Sequence, residues 1–131
     1  MREIYNQELF RQKVLFKGIN AYNEKETGTD VDWEFENGKT WIRCEIKEWG
    51  KPLTVGQEIL MKRFVKSVSY QNVWCFLLWH TAKPNEDIVL ANTIPALYIN
   101  NKTSEWQPLT SPLNFYQVFN SIISYDESSL R

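Results

Sequence analysis

The amino-acid sequence predicts an α/β fold: a mixed β-sheet flanked by helices, in the order α-β-β-α-β-β-β-α. Three observations carry that prediction. Val31–Phe35 and Thr40–Lys47 each alternate polar and apolar residues on either side of Asn37-Gly38, the pattern of a half-buried hairpin. Val73-Trp74-Cys75-Phe76-Leu77-Leu78-Trp79 is a continuous apolar run of strand length, as in a central strand covered on both faces. Between them, Leu60, Met61, Phe64, Val65 and Val68 recur at helical spacing.

Each element has its own reason. Ile4 to about Ile19 reads as a first helix, with Ile4, Tyr5, Leu15, Phe16 and Ile19 on one side. In the hairpin, Ile42, Cys44 and Ile46 share one face of the return strand, and Trp41, Arg43, Glu45 and Lys47 share the other. A second helix runs from Thr54 to about Val68, and Thr54-Val55-Gly56-Gln57 fits a capping box at its start. Ile88-Val89-Leu90 and Ala96-Leu97-Tyr98-Ile99 are shorter strand candidates. Thr110-Ser111-Pro112 opens a last helix whose apolar face is Phe115, Val118, Phe119 and Ile122.

Composition bounds the function. At 131 residues, without repeat, low-complexity stretch or linker, residues 1–131 read as a single domain. No apolar run approaches the length of a membrane span, and Met1 to Asn6 opens no signal peptide, so no membrane partner is expected. Two cysteines, Cys44 and Cys75, form neither a disulfide framework nor a CxxC pair; both read as buried reduced thiols, and a cytoplasmic location follows. Fifteen Lys and Arg against sixteen Asp and Glu give a net charge of -1, which excludes coating of nucleic acid by charge alone. Any DNA contact must come from a local patch. The single histidine, His80, ends an apolar strand and reads as structural, so no Ser or Cys triad is credible.

The hairpin carries the chemistry. Asp30, Asp32 and Glu34 share one face of its first strand, while Glu45 and Lys47 share one face of the second. With Asn37-Gly38 as a two-residue turn, Glu36 faces Lys39, Asp32 faces Arg43 and Asp30 faces Glu45. Asp32 and Glu45 are then diagonal neighbours, roughly 7–8 Å apart along the backbone and within reach through their side chains. Two carboxylates converging from adjacent strands suit Mg²⁺, with Mn²⁺ as its substitute, and a lysine on the same side can offset charge on a phosphate. An exposed hairpin face also carries Asp, Glu and Lys, so the hairpin alone leaves both readings open. Glu8 sits where the first helix's stripe asks for Leu or Ile, either as a buried metal-binding carboxylate or at the stripe's edge. Gln57 lies on the face of Leu60, Met61 and Phe64, either looking toward the sheet or serving only as a cap.

The run from Val31 through Lys47 resembles the core of the PD-(D/E)xK nucleases, and is similar to archaeal Holliday-junction resolvases in the spacing from Asp32 through Asn37-Gly38 to Glu45-Ile46-Lys47. Leu53-Thr54-Val55-Gly56-Gln57 resembles the segment of the small VRR-Nuc nucleases in which a glutamine opens the helix after Glu-x-Lys. The resemblance covers about residues 4 to 80. It implies a restriction-endonuclease-like core and a Mg²⁺-dependent DNA endonuclease, structure-specific in the manner of a junction resolvase. Asp32 matches the first metal-binding acid, Glu45 the second, Lys47 the catalytic lysine and Glu8 the glutamate on the first helix. Gln57 joins the catalytic set. The chain departs from the pattern at Val31, where Pro is expected, and Asp30 competes with Asp32 for the metal. Lys51, Lys62, Arg63 and Lys66 are candidates for contacts to DNA phosphates. The resemblance also implies a homodimer. The rival reading is a catalytically inactive nuclease-like module that binds DNA or a protein, with Trp33, Trp41, Trp49 and Trp106 marking the partner surface.

Overall fold

The computed structural model describes residues 32–110 and 112–129. The first helix with Glu8, and Asp30, lie outside the described residues. Within them the fold is mixed α/β: β1 (Trp33–Glu36), β2 (Thr40–Glu48), α1 (Val55–Ser67), β3 (Asn72–His80), β4 (Ile94–Asn100), β5 (Gln107–Pro108) and α2 (Phe115–Ser129). The five strands form one sheet in the order β1-β2-β3-β4-β5, antiparallel except for the parallel pair β2–β3 that α1 connects. Among the described residues no helix is long and apolar enough to cross a membrane.

The hairpin register differs from the sequence-based expectation by two residues. Trp33 pairs with Cys44, Glu34 with Arg43, Phe35 with Ile42 and Glu36 with Trp41. Asn37 N–H donates to Thr40 O at 3.2 Å, so the two turn residues are Gly38 and Lys39, not Asn37 and Gly38. The reason is local. Gly38 holds φ +90°, the glycine-first arrangement of a type II′ turn, while the Asn37 side chain accepts from Lys39 N–H at 3.0 Å and Thr40 N–H at 2.7 Å. Arg43 therefore faces Glu34, and the place opposite Glu45 passes from Asp30 to Asp32.

The sheet buries both faces. On one side Trp33, Ile42, Cys44, Phe76 and Leu78 pack with Phe115, Phe119, Ile122 and Ile123 of α2. Trp33 is fully buried, its ring edge-on to Phe115 and Phe119 at 5.8 Å each, so it belongs to the core and not to a partner surface. On the other side Val73, Cys75 and Ile99 pack with Met61 and Val65 of α1. The alternation read in Thr40–Lys47 and the two-sided burial read in Val73–Trp79 both hold, and both cysteines are buried free thiols.

The remaining differences have physical causes. Ile88-Val89-Leu90 is not a strand; Leu90–Asn92 is a 3₁₀ turn in which Thr93 Oγ1 and Thr93 N–H both donate to Leu90 O, taking up backbone groups that a ladder would need. β4 begins at Ile94, two residues earlier than expected, and its register with β3 shifts between Leu77 and Leu78, beside Pro95. The two-residue β5 has too little pattern to be read from sequence. α2 starts at Phe115, not at Pro112, because Asn114 and Gln117 exchange reciprocal hydrogen bonds of 3.0 and 2.9 Å that cap it there.

Candidate active site

The face of β2 that α1 covers carries Trp41, Arg43, Glu45 and Lys47 in succession. Nearest the hairpin turn, the Arg43 guanidinium is ion-paired with Glu34 and lies over the Phe64 and Trp41 rings, 4.1 and 5.5 Å from their centroids. That pair packs against the two rings at one end of the face.

Two residues further on, the environment changes. Asp32 N–H donates to Cys44 O at 3.1 Å, and its carboxylate Oδ2 accepts from Ile46 N–H at 2.7 Å. Asp32 is thereby tied to β2 on both sides of Glu45, by its backbone to Cys44 and by its side chain to Ile46. Glu45 itself is buried, and its carboxyl is pushed up to about 8. Burial is the largest cause, followed by the charge of Asp32; Lys47 opposes them, a hydrogen bond shared with Asp32 raises the value further, and one from Gln57 lowers it. Glu45 thus interacts with each of the other three candidates.

Gln57 does two jobs. Its Oε1 accepts from Thr54 N–H at 2.9 Å and its own N–H donates to Thr54 Oγ1 at 3.1 Å, the capping box expected from the sequence. That leaves its amide N–H groups for the Glu45 carboxyl. Gln57 thus caps the helix and also reaches the sheet at Glu45.

Lys47 is half-buried and pairs across the parallel ladder with Trp79, whose indole Nε1 donates to Lys51 O at 2.7 Å. The four candidate cations diverge. Lys51, Arg63 and Lys66 are exposed, whereas Lys62 binds both Glu105 oxygens at 2.9 Å. His80 is half-buried and its Nδ1 accepts from Ala82 N–H at 3.0 Å, in keeping with a structural role.

Among the described residues no three or more His, Cys, Asp or Glu side chains converge on one point. The two that do meet are both hard oxygen ligands, and Glu45 Oε1 is buried without a hydrogen-bond partner. A cation there would satisfy that oxygen and offset the repulsion between Asp32 and Glu45; Mg²⁺ needs only one or two carboxylates, since it keeps several waters. The residues fit the ion.

Sequence reasoning missed Trp79 and Trp49 as neighbours of this face, because it treated Trp79 as core and had no register for the parallel pair. It also misassigned the partner of Arg43; a glycine placed first in the turn was the signal that could have corrected it. Compared with known protein families, curated proteins and solved structures, the chain matches none.

Proposed function

We propose that the chain is a Mg²⁺-dependent DNA endonuclease with a restriction-endonuclease-like core. One observation carries the reading: Asp32 and Glu45 meet at the end of a hairpin, with Lys47 on the same strand face and Gln57 reaching Glu45 from the next helix. Asp32, Glu45 and Lys47 share one sheet face and Gln57 meets it from the next helix, in the order the PD-(D/E)xK resemblance implies.

Asp32 and Glu45 would hold the Mg²⁺ or Mn²⁺, with Glu8 as a further ligand. When bound, the ion supplies charge stabilisation to the phosphate and a more acidic water. Lys47 orients the attacking water and stabilises negative charge on the phosphate oxygens. Gln57 holds the Glu45 carboxyl in place from a capped, rigid helix end. Lys51, Arg63 and Lys66, all exposed, are free to meet backbone phosphates, whereas Lys62 must first release Glu105. Two copies related by a two-fold axis would supply the paired cuts that a branched DNA requires.

Purified protein incubated with Mg²⁺ and labelled linear, nicked, flapped and four-way DNA tests the proposal. Cleavage that is lost in EDTA and lost in Lys47→Ala supports it. Wild-type protein that cuts none of the four substrates with Mg²⁺ or Mn²⁺ overturns it in favour of an inactive nuclease-like module.

A further inference from the structure

The strand that carries Glu45 and Lys47 leads into an exposed tryptophan held in a rigid turn. Lys51 N–H donates to Glu48 O at 3.0 Å, closing a β-turn over Glu48, Trp49, Gly50 and Lys51. Gly50 has φ +88°, the conformation that a type II turn demands at its third position. Trp49 is therefore the corner residue, and its N–H is fixed to His80 O at 2.9 Å. Trp49 is 56% exposed, among the described residues the most exposed large aromatic residue apart from Tyr125.

The ring is braced by a neighbour. Trp49 packs on Trp79 with centroids 5.1 Å apart and planes at 56°. Trp79 is itself anchored through its indole N–H to Lys51 O and is the register partner of Lys47 on the neighbouring strand. Adjacent strands lie about 4.8 Å apart, and two strand residues span about 7 Å. A continuous surface thus runs from Lys47 across Trp79 to Trp49, ending beside the exposed Lys51. An exposed indole costs free energy in water unless something covers it, and here it adjoins the candidate active site.

We propose that Trp49 is a stacking platform for an unpaired DNA base next to the phosphate at Lys47, so that the preferred substrate carries single-stranded DNA at the cut. This deepens the proposed nuclease function and rests on it for the word substrate. A continuous duplex keeps its bases stacked on one another and offers none to Trp49. The net charge of -1 points the same way. A protein with little overall positive field gains little from neutralising two phosphate strands, whereas base–aromatic stacking is independent of net charge and tolerant of sequence. Trp49 is a positioning residue in this scheme, since it holds the strand while other groups act on the phosphate.

Binding without cleavage is the direct test. Fluorescence anisotropy of a labelled 12-mer of oligothymidine, and of a labelled blunt-ended duplex without a loop, is measured in EDTA with wild type, Trp49→Phe, Trp49→Leu and Trp49→Ala. Loss of a stacked base weakens single-strand binding roughly 5- to 100-fold by Ala substitution. The same loss is expected in Trp49→Leu, which keeps apolar bulk against Trp79 but has no π-face, while Trp49→Phe stays near wild type. Duplex binding is expected to be unchanged across the series. Wild-type affinity for oligothymidine in Trp49→Leu, or equal losses on single strand and duplex, overturns the platform. Because no divalent cation is present, a protein that never cleaves DNA yet shows this pattern would refute the chemistry and leave the platform standing.

Discussion

The Asp32 carboxylate accepts the backbone N–H of Ile46 at 2.7 Å, and that bond fastens it beside Glu45. A carboxylate that floated on an exposed hairpin would be repelled by its neighbour. Here a backbone donor holds it in place, and burial of Glu45, followed by the charge of Asp32, raises the affinity of Glu45 for a proton.

Asp32→Asn is expected to abolish Mn²⁺ binding in isothermal calorimetry, while Asp30→Asn retains it. The hairpin register sets Asp32 and not Asp30 against Glu45. The reverse order would assign the metal to the wrong aspartate.

Lys47→Ala is expected to lower the rate of DNA cleavage by at least about 10²-fold, the scale of losing one charge-stabilising group in an active site. Lys47 is half-buried and points away from the Ile42/Cys44/Ile46 core, so the melting temperature should move by no more than about 2 °C, as for a surface substitution. Wild-type turnover in this variant would remove Lys47 from the mechanism.

Stability in EDTA should fall as pH rises from about 5 to about 8. The unfolded Glu45 carboxyl releases its proton near 4.3, but the folded one keeps it until about 8. Between those values the folded state binds more protons than the unfolded state, so each rise in pH favours unfolding. Thermal melts at pH 5, 6.5 and 8 measure the slope. Glu45→Gln, which does not titrate, should flatten it, and Mn²⁺ at pH 8 should restore wild-type stability by binding only the folded site. A wild-type profile as flat as that of Glu45→Gln would contradict the raised proton affinity.

Thr54→Ala and Gln57→Ala separate capping from chemistry. Each removes half of the same capping box and should cost about 1 kcal/mol, read as a loss of about 3–5 °C in melting temperature. Only Gln57 also meets Glu45. Cleavage rates at 20 °C, well below either melting transition, should therefore drop in Gln57→Ala and stay near wild type in Thr54→Ala. Equal rates in the two variants would reduce Gln57 to a cap.

Much of this architecture was legible in the chain itself. Period-two alternation marked which side of β2 meets the core, because successive side chains on a strand point to opposite faces whatever the rest of the fold does. The run from Val73 to Trp79 marked a central strand, since only a strand covered on both sides tolerates unbroken apolar character. Thr54 and Gln57 announced the start of α1, as capping is settled within four residues. These properties are local, and local sequence suffices for them.

What the sequence left open depends on contacts between distant segments. The hairpin register turned on whether Gly38 stood first or second in the turn, a choice of two residues that moved Asp32 from Arg43 to Glu45. The pairing of Lys47 with Trp79 joins strands separated by the whole of α1, and no spacing along the chain encodes it. Glu45 looked like any exposed hairpin carboxylate until the fold buried it beside Asp32 and Gln57. The sequence by itself determined the types of the longer elements, the core face of β2 and the residue types available for chemistry, because these follow from periodicity and capping. The tertiary structure decided which of those residues meet, since desolvation and charge repulsion at Glu45 exist only once strand, turn and helix have closed around it.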